Sequence, residues 1–264
     1  MTTTVVVGAG RIGEALVGGL VAAGHDPGTL AISERDPDRA AEVAGRHGVE
    51  ALDAAGVVAR ADVVVLAVKP GGVPATLAEL DGLPARTLVV SLCAGITTAA
   101  IEAHLADGTP VVRVMPNTPM LVGEGMAAVS PGRHAGDDHV ERVAAMMRAV
   151  GRAVVVPEAQ QDAVTALSGS GPAYLLLLAE AMVDAGVLLG LPRDVATELV
   201  AQTAVGAAHL LRDSGTHPTL LREAVTSPAG TTAAALRTLD DRGVHAAVVA
   251  AVEAARDRSV ELGS

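Results

Sequence analysis

The first residues constrain the fold most. A β-branched run, Thr4-Val5-Val6-Val7, leads straight into Gly8-Ala9-Gly10-Arg11-Ile12-Gly13, and a helical segment over Ile12–Ala23 follows. The pattern G-x-G-x-x-G is weak alone and gains meaning between a strand and a helix. Its glycines let the backbone approach a pyrophosphate, and the free N–H groups of the helix start favour the ligand's charge. The bland alternative is a tight strand-to-helix turn that binds nothing.

The rest of the first half repeats that alternation. Val-rich runs at Leu30–Ser33, Val63–Val68, Leu88–Ser91, Val111–Met115 and Ala153–Val156 read as strands buried on both faces. Segments of helical character, such as Arg39–His47 and Asp137–Val150, lie between several of them, which predicts a parallel sheet covered on both sides. From Pro157 onward no strand run appears. Ala/Leu-rich helices are expected over Glu158–Ser168, Ala173–Leu189, Arg193–Arg212, Thr219–Val225, Thr231–Asp241 and Val244–Glu261. The expected fold class is α/β: a Rossmann-type dinucleotide-binding domain over residues 1–157, then an all-helical dimerisation and substrate-binding domain over 158–264. The segment Tyr174–Leu191 is apolar nearly all round, so it needs cover on every side. A second copy of the chain is the natural cover, giving a homodimer or higher homo-oligomer through the helical part.

Composition removes whole classes of function. The net charge is −11, with no Phe or Trp and a single Tyr, Tyr174. A broad basic surface and stacking platforms are both missing, so no nucleic-acid partner is expected. The apolar stretch Leu175–Leu191 carries Glu180 and Asp184, which argues for a buried helix and against a membrane span. The sequence MTTTVVVGAG has no signal-peptide pattern, and one cysteine, Cys93, can form no disulfide within the chain. A cytoplasmic protein is expected. The eight histidines show no metal-ligand spacing, and no metal is expected.

Candidate binding residues collect at strand ends, where open α/β sheets hold ligands. Ser33-Glu34-Arg35 ends the second strand, at the position that reads the adenosine ribose. An acid there favours NAD through the 2′-hydroxyl, whereas Arg35 with Ser33 suits a 2′-phosphate; the sequence offers both. Ala67-Val68-Lys69-Pro70 places the only lysine of the chain after the strand at 63–68. With arginine supplying every other cation, Lys69 is read as meeting a steric or geometric need, against the plainer reading of a surface lysine. Leu92-Cys93-Ala94 is small enough for close approach of a ring. Cys93 is read as a small buried residue and not as a nucleophile. Asn117, in Met115-Pro116-Asn117-Thr118-Pro119, offers an amide to the nicotinamide end or to substrate. In the helical part, Ser168-Gly169-Ser170-Gly171-Pro172-Ala173-Tyr174 and Val225–Ala233 interrupt the helices. The second ends in Gly230-Thr231-Thr232 before a helix, where free amides suit a small carboxylate or serve as an ordinary cap.

Together these stretches resemble pyrroline-5-carboxylate reductases. The resemblance runs over essentially the whole chain and is strongest at Ala67–Pro70, Met115–Pro119, Ala163–Tyr174, Asp184–Arg193, Gln202–Ala207 and Thr226–Thr232. The family usually has two glycines before the threonine pair; here Ala229 replaces the first. Relatives often carry Asn where this chain reads Asp53-Ala54. The resemblance implies NADPH-dependent reduction of 1-pyrroline-5-carboxylate to L-proline, with NADH as a possible substitute. It implies that Gly8, Ala9, Gly10, Arg11, Ile12, Gly13, Ser33, Glu34, Arg35, Ala67, Val68, Lys69, Pro70, Leu92, Cys93, Ala94 and Asn117 line the cofactor. Ser227, Gly230, Thr231 and Asn117 would hold the substrate. Thr232 would bond the ring nitrogen, and Glu158 would be an acid near the ring, its bland alternative being a helix start.

Two rival readings remain in play. A 3-hydroxyacid dehydrogenase-like enzyme shares the layout but needs a lysine in the helical half, and none follows Lys69. A non-catalytic NADPH sensor would have no need of a carboxylate pocket.

Overall fold

A computed structural model describes Thr2–Gly263. Eight strands form one sheet: β1 Thr4–Val7, β2 Leu30–Ser33, β3 Glu50–Ala51, β4 Val63–Leu66, β5 Leu88–Ser91, β6 Val111–Met115, β7 Gly125–Pro131 and β8 Gly151–Val155. Helices α1 Arg11–Ala22, α2 Pro37–His47, α3 Ala54–Arg60, α4 Val73–Glu79, α5 Thr98–Glu102, α6 Asp137–Arg148 and α7 Gln161–Val164 go with them. A π-helical turn, Thr165–Gly169, follows α7. The helical part continues as α8 Gly171–Leu188, α9 Arg193–Asp213, α10 Pro218–Ala224, α11 Thr231–Asp241 and α12 Val244–Gly263.

The strand order is β3-β2-β1-β4-β5-β6-β7-β8. The chain winds outward from β1 through β2 to β3, then returns to the other side of β1 with β4. That reversal opens a crevice at the carboxyl ends of β1 and β4, the place where such sheets take ligands. Alternate residues of each central strand feed opposite layers. Val6, Val63, Val65, Leu88 and Val90 pack with Leu16, Leu20 and Met147 on one face. Val5, Val7, Val64, Leu66 and Val89 pack with Val57, Leu77 and Ile101 on the other. Burial on both faces is why these strands read as unbroken Val runs, each side chain contributing roughly 1.5–3 kcal/mol.

Two details depart from the sequence reading. The sheet is not wholly parallel: β7 pairs antiparallel to β6, with Arg113 opposite Ser130. Its sequence, Gly-Met-Ala-Ala-Val-Ser-Pro, has little intrinsic strand preference; pairing with two neighbours and burial override this. The last strand is also not covered on both faces: Val154 and Val155 of β8, which point to opposite faces of the sheet, are both exposed in the single chain.

The residues fall into two compact units, one running up to Ser170 and resuming at Ala255, the other Gly171–Ala254. Within the second, α8 packs on α9 so closely that a Cβ on Gly186 would stand 3.0 Å from the Ala196 side chain. Otherwise the unit buries little: α8, α10 and α11 contain no buried residue.

Candidate active site

The glycines of the first loop do different work. Gly8 has φ +99°, and a Cβ there would lie 2.8 Å from the Ala67 carbonyl oxygen at the end of β4. A Cβ on Gly13 would lie 2.0 Å from the Gly8 oxygen. Gly8 therefore lets the loop approach the end of β4, and Gly13 lets α1 close on its own loop. Gly10 is the N-cap of α1 and has no side chain to cap it. A Cβ there would meet nothing within 4 Å, so this glycine keeps open space in front of the free amides. A cradle of backbone donors at a helix start is what a pyrophosphate requires, and these residues fit a dinucleotide.

The loop is braced from behind. Glu34 accepts from the amides of Ala9 at 2.8 Å, Arg35 at 2.8 Å and Asp36 at 3.2 Å. Arg39 donates through Nε to the Ala9 oxygen at 3.0 Å and pairs with Glu14 in the first turn of α1. Burial raises the Glu14 carboxyl, but the Arg39 hydrogen bond and the charges of Arg39 and Arg46 outweigh it and hold it below its ordinary value.

A cleft of about 870 Å³ opens over this loop, lined among others by Gly8, Gly10, Ser33, Glu34, Arg35, Ala67, Val68 and Lys69. Eight residues expected at the cofactor thus share one cavity. Ala9 is buried beneath it. Arg11, Ile12 and Gly13 form the first turn of α1, and Pro70 starts the turn after Lys69. The cleft also takes in Leu52, Asp53, Gly71, Gly72 and Thr76, which the sequence reading passed over except for Asp53. Gly71 and Gly72 follow Lys69-Pro70, and a Cβ on either would meet nothing within 4 Å.

Farther along the strand tips, several expected contacts turn inward. The Cys93 thiol donates to the carbonyl of Val68 at 3.2 Å and is 3.5 Å from that of Leu66; burial pushes the thiol up, so it stays protonated. Leu92 is buried and Ala94 is half-buried. Asn117 accepts from Met126 N at 2.8 Å and donates to the Ser168 carbonyl at 3.1 Å. Its amide thus ties β7 to the π turn. Glu158 accepts from Thr98 through its amide at 2.8 Å and its hydroxyl at 2.7 Å. The buried Arg113 stands 3.4 Å away from the same carboxylate. All of these partners lie within the sheet-bearing unit.

The other unit holds the second interrupted stretch. Gly230 is the N-cap of α11, without a side-chain cap, which leaves the amides of the first turn open at Thr231 and Thr232. A Cβ on Gly230 would fall 2.3 Å from Ser227 Oγ, so any side chain there would force the Ser227 hydroxyl to turn away. Ser227 and Thr231 are exposed and Thr232 is half-buried. Ala229 has φ +58°, the only non-glycine with positive φ among the described residues. An alanine in that region is strained by about 1–2 kcal/mol, which explains why a glycine suits the position. Ala229→Gly is expected to stabilise the protein by about 0.5–1 kcal/mol, the relief of strain less the extra freedom of glycine in the unfolded chain. A urea midpoint that does not rise would show that the turn carries no such strain.

The family model for pyrroline-5-carboxylate reductase dimerisation matches residues 158–262. One described as NADP oxidoreductase, coenzyme F420-dependent, matches residues 3–95. A pyrroline-5-carboxylate reductase of Corynebacterium melassecola is 46% identical over 268 residues, covering 100% of this chain and 99% of the relative. That of Mycobacterium tuberculosis is 46% identical over 286 residues, covering 99% and 97%. Among solved structures, a pyrroline-5-carboxylate reductase from Coxiella burnetii matches with a TM-score of 0.94 at 35% identity, covering 100% and 99%. A pyrroline carboxylate reductase of Plasmodium falciparum, solved with NADP bound, matches with a TM-score of 0.89 at 29% identity, covering 100% and 98%.

Proposed function

Because the chain belongs to the pyrroline-5-carboxylate reductase family, we propose that its cleft holds NADPH and its Gly230–Thr232 turn holds the carboxylate of 1-pyrroline-5-carboxylate. The family activity is NAD(P)H-dependent reduction of this cyclic imine to L-proline. The chain carries the dimerisation domain of the family and works as a homodimer or larger homo-oligomer. We place the functional boundary at Pro157/Glu158, supported by the dimerisation match that starts there. The family is one of soluble metabolic enzymes, and the single cysteine supports a cytoplasmic setting for this member.

The observation that carries the reading is the pair of open helix starts. The first turn of α1 presents amides to a pyrophosphate, and the first turn of α11 presents amides to a small carboxylate. Bound NADPH supplies the hydride. The protonated imine is already a strong acceptor, so side chains have little chemistry to do. The α11 amides fix the acid end of the ring. The Thr232 hydroxyl accepts the N–H of the iminium and keeps the ring nitrogen oriented while the imine carbon, C2 of the pyrroline and C5 of the proline product, receives the hydride. The C=N bond becomes a C–N bond, and the amine takes its further proton from water.

Glu158 enters this scheme as the acid near the ring, held in place by its own partners. Its carboxylate joins Thr98, just past the loop after β5, to Arg113 on β6. Asn117 likewise shapes the sheet edge through the π turn.

The test is NADPH consumption with pyrroline-5-carboxylate and formation of proline. Thr232→Ala is expected to lower turnover about 10- to 100-fold, matching loss of a charge-assisted hydrogen bond of ~1.5–3 kcal/mol. An unchanged rate removes Thr232 from the mechanism. NADPH binding without steady turnover in the wild type would favour a sensor.

A further inference from the structure

The adenosine end of the cleft contains two carboxylates and two cations, and only one cation is engaged. Glu34 is held by the amides of Ala9, Arg35 and Asp36. Asp53 caps α3 by accepting from Gly56 N at 2.8 Å. Lys69 makes no ion pair among the described residues, whereas Arg35 reaches across to α4, its Nη2 3.0 Å from Glu79 Oε1. Glu79 ends the helix whose Thr76 lines the same cleft. An acid at a helix C-terminus opposes the helix dipole, so its place there does not serve α4.

We propose that Glu79 sets the preference between 2′-phosphorylated and unphosphorylated dinucleotides by competing for Arg35. This rests on the reading that the cleft holds NADPH. The guanidinium fork suits a phosphate and a carboxylate alike. With Glu34 tied to backbone amides, Arg35 is the group beside the ribose position that can meet a 2′-phosphate. Glu79 already holds one Nη2 donor of that fork, and its charge opposes a phosphate drawn to the same guanidinium, so the two anions compete. A nucleotide with a free 2′-hydroxyl brings no such charge. The Arg35 and Glu79 side chains are 62% and 54% exposed, so the pair is easily broken and the competition is graded. Glu79 thus lowers selectivity for the phosphorylated cofactor without touching the reacting end.

The test titrates the full-length protein with adenosine 2′,5′-bisphosphate and with 5′-AMP by calorimetry. Glu79→Gln is expected to tighten binding of the bisphosphate about two- to fivefold, the range an exposed pair supports, and to leave 5′-AMP unchanged. The ratio of kcat/KM for NADPH over NADH should rise by the same factor. In an Arg35→Gln background, Glu79→Gln should change neither ligand. The proposal is overturned if the two ligands shift together, if neither shifts, or if the gain survives loss of Arg35. Failure of the wild type to bind either nucleotide would instead overturn the dinucleotide reading, and this proposal with it.

Discussion

Gly10→Ala is expected to raise the Kd for NADPH roughly 100-fold while leaving the melting temperature of the free protein unchanged, and Gly13→Ala to lose both. The size follows from the sensitivity of positioned ligands to displacements near 1 Å. The distinction follows from what each new methyl meets. At Gly10 nothing lies within 4 Å and φ is −69°, so alanine folds without strain and its Cβ enters only the space reserved for the phosphates. At Gly13 the Cβ would stand 2.0 Å from the Gly8 carbonyl oxygen, a backbone atom that cannot rotate away. The start of α1 must then shift from the loop, a strain of about 1–3 kcal/mol. Fluorescence titration with NADPH, beside thermal denaturation of the free protein, reads the two effects apart. Normal NADPH affinity in Gly10→Ala would mean that the pyrophosphate does not approach this helix start.

The same contrast shows what a sequence can reveal. The Val runs of β1, β4 and β5 were legible because burial on both faces leaves no room for polar residues. β7 was illegible because pairing makes its Gly-Met-Ala-Ala stretch a strand. At the site, positions were legible and partners were not. Glu34, Asn117 and Glu158 lie at or near strand ends, as their neighbours in the sequence suggest. Their partners Ala9, Ser168 and Thr98 are 25, 51 and 60 residues away. A carboxylate that accepts from backbone amides looks, as a letter, the same as one that reads a ribose. Gly71 and Gly72 were missed for a related reason, since a glycine that keeps space open leaves no chemical mark of its own.

The largest effect on stability is expected from Leu176→Asp combined with Leu177→Asp. Leu175, Leu176, Leu177 and Leu178 are 70%, 68%, 65% and 47% exposed in the single chain. Four consecutive leucines span most of the circumference of α8, so no single neighbour can cover them. Glu158–Leu188 is also long and apolar enough, by length and composition only, to cross a membrane. The dimerisation match over 158–262 supplies the other occupant, a second copy of the chain. Covering a leucine contributes about 1.5–3 kcal/mol, and burying a carboxylate in its place costs several more. The double variant should therefore sediment as a monomer at micromolar concentration, melt at least about 10 °C lower, and lose proline formation. The dinucleotide cleft is built within the sheet-bearing unit alone, so NADPH binding should persist and show that the chain has not simply unfolded. A variant that remained dimeric with full turnover would mean that these leucines are not what the partner covers.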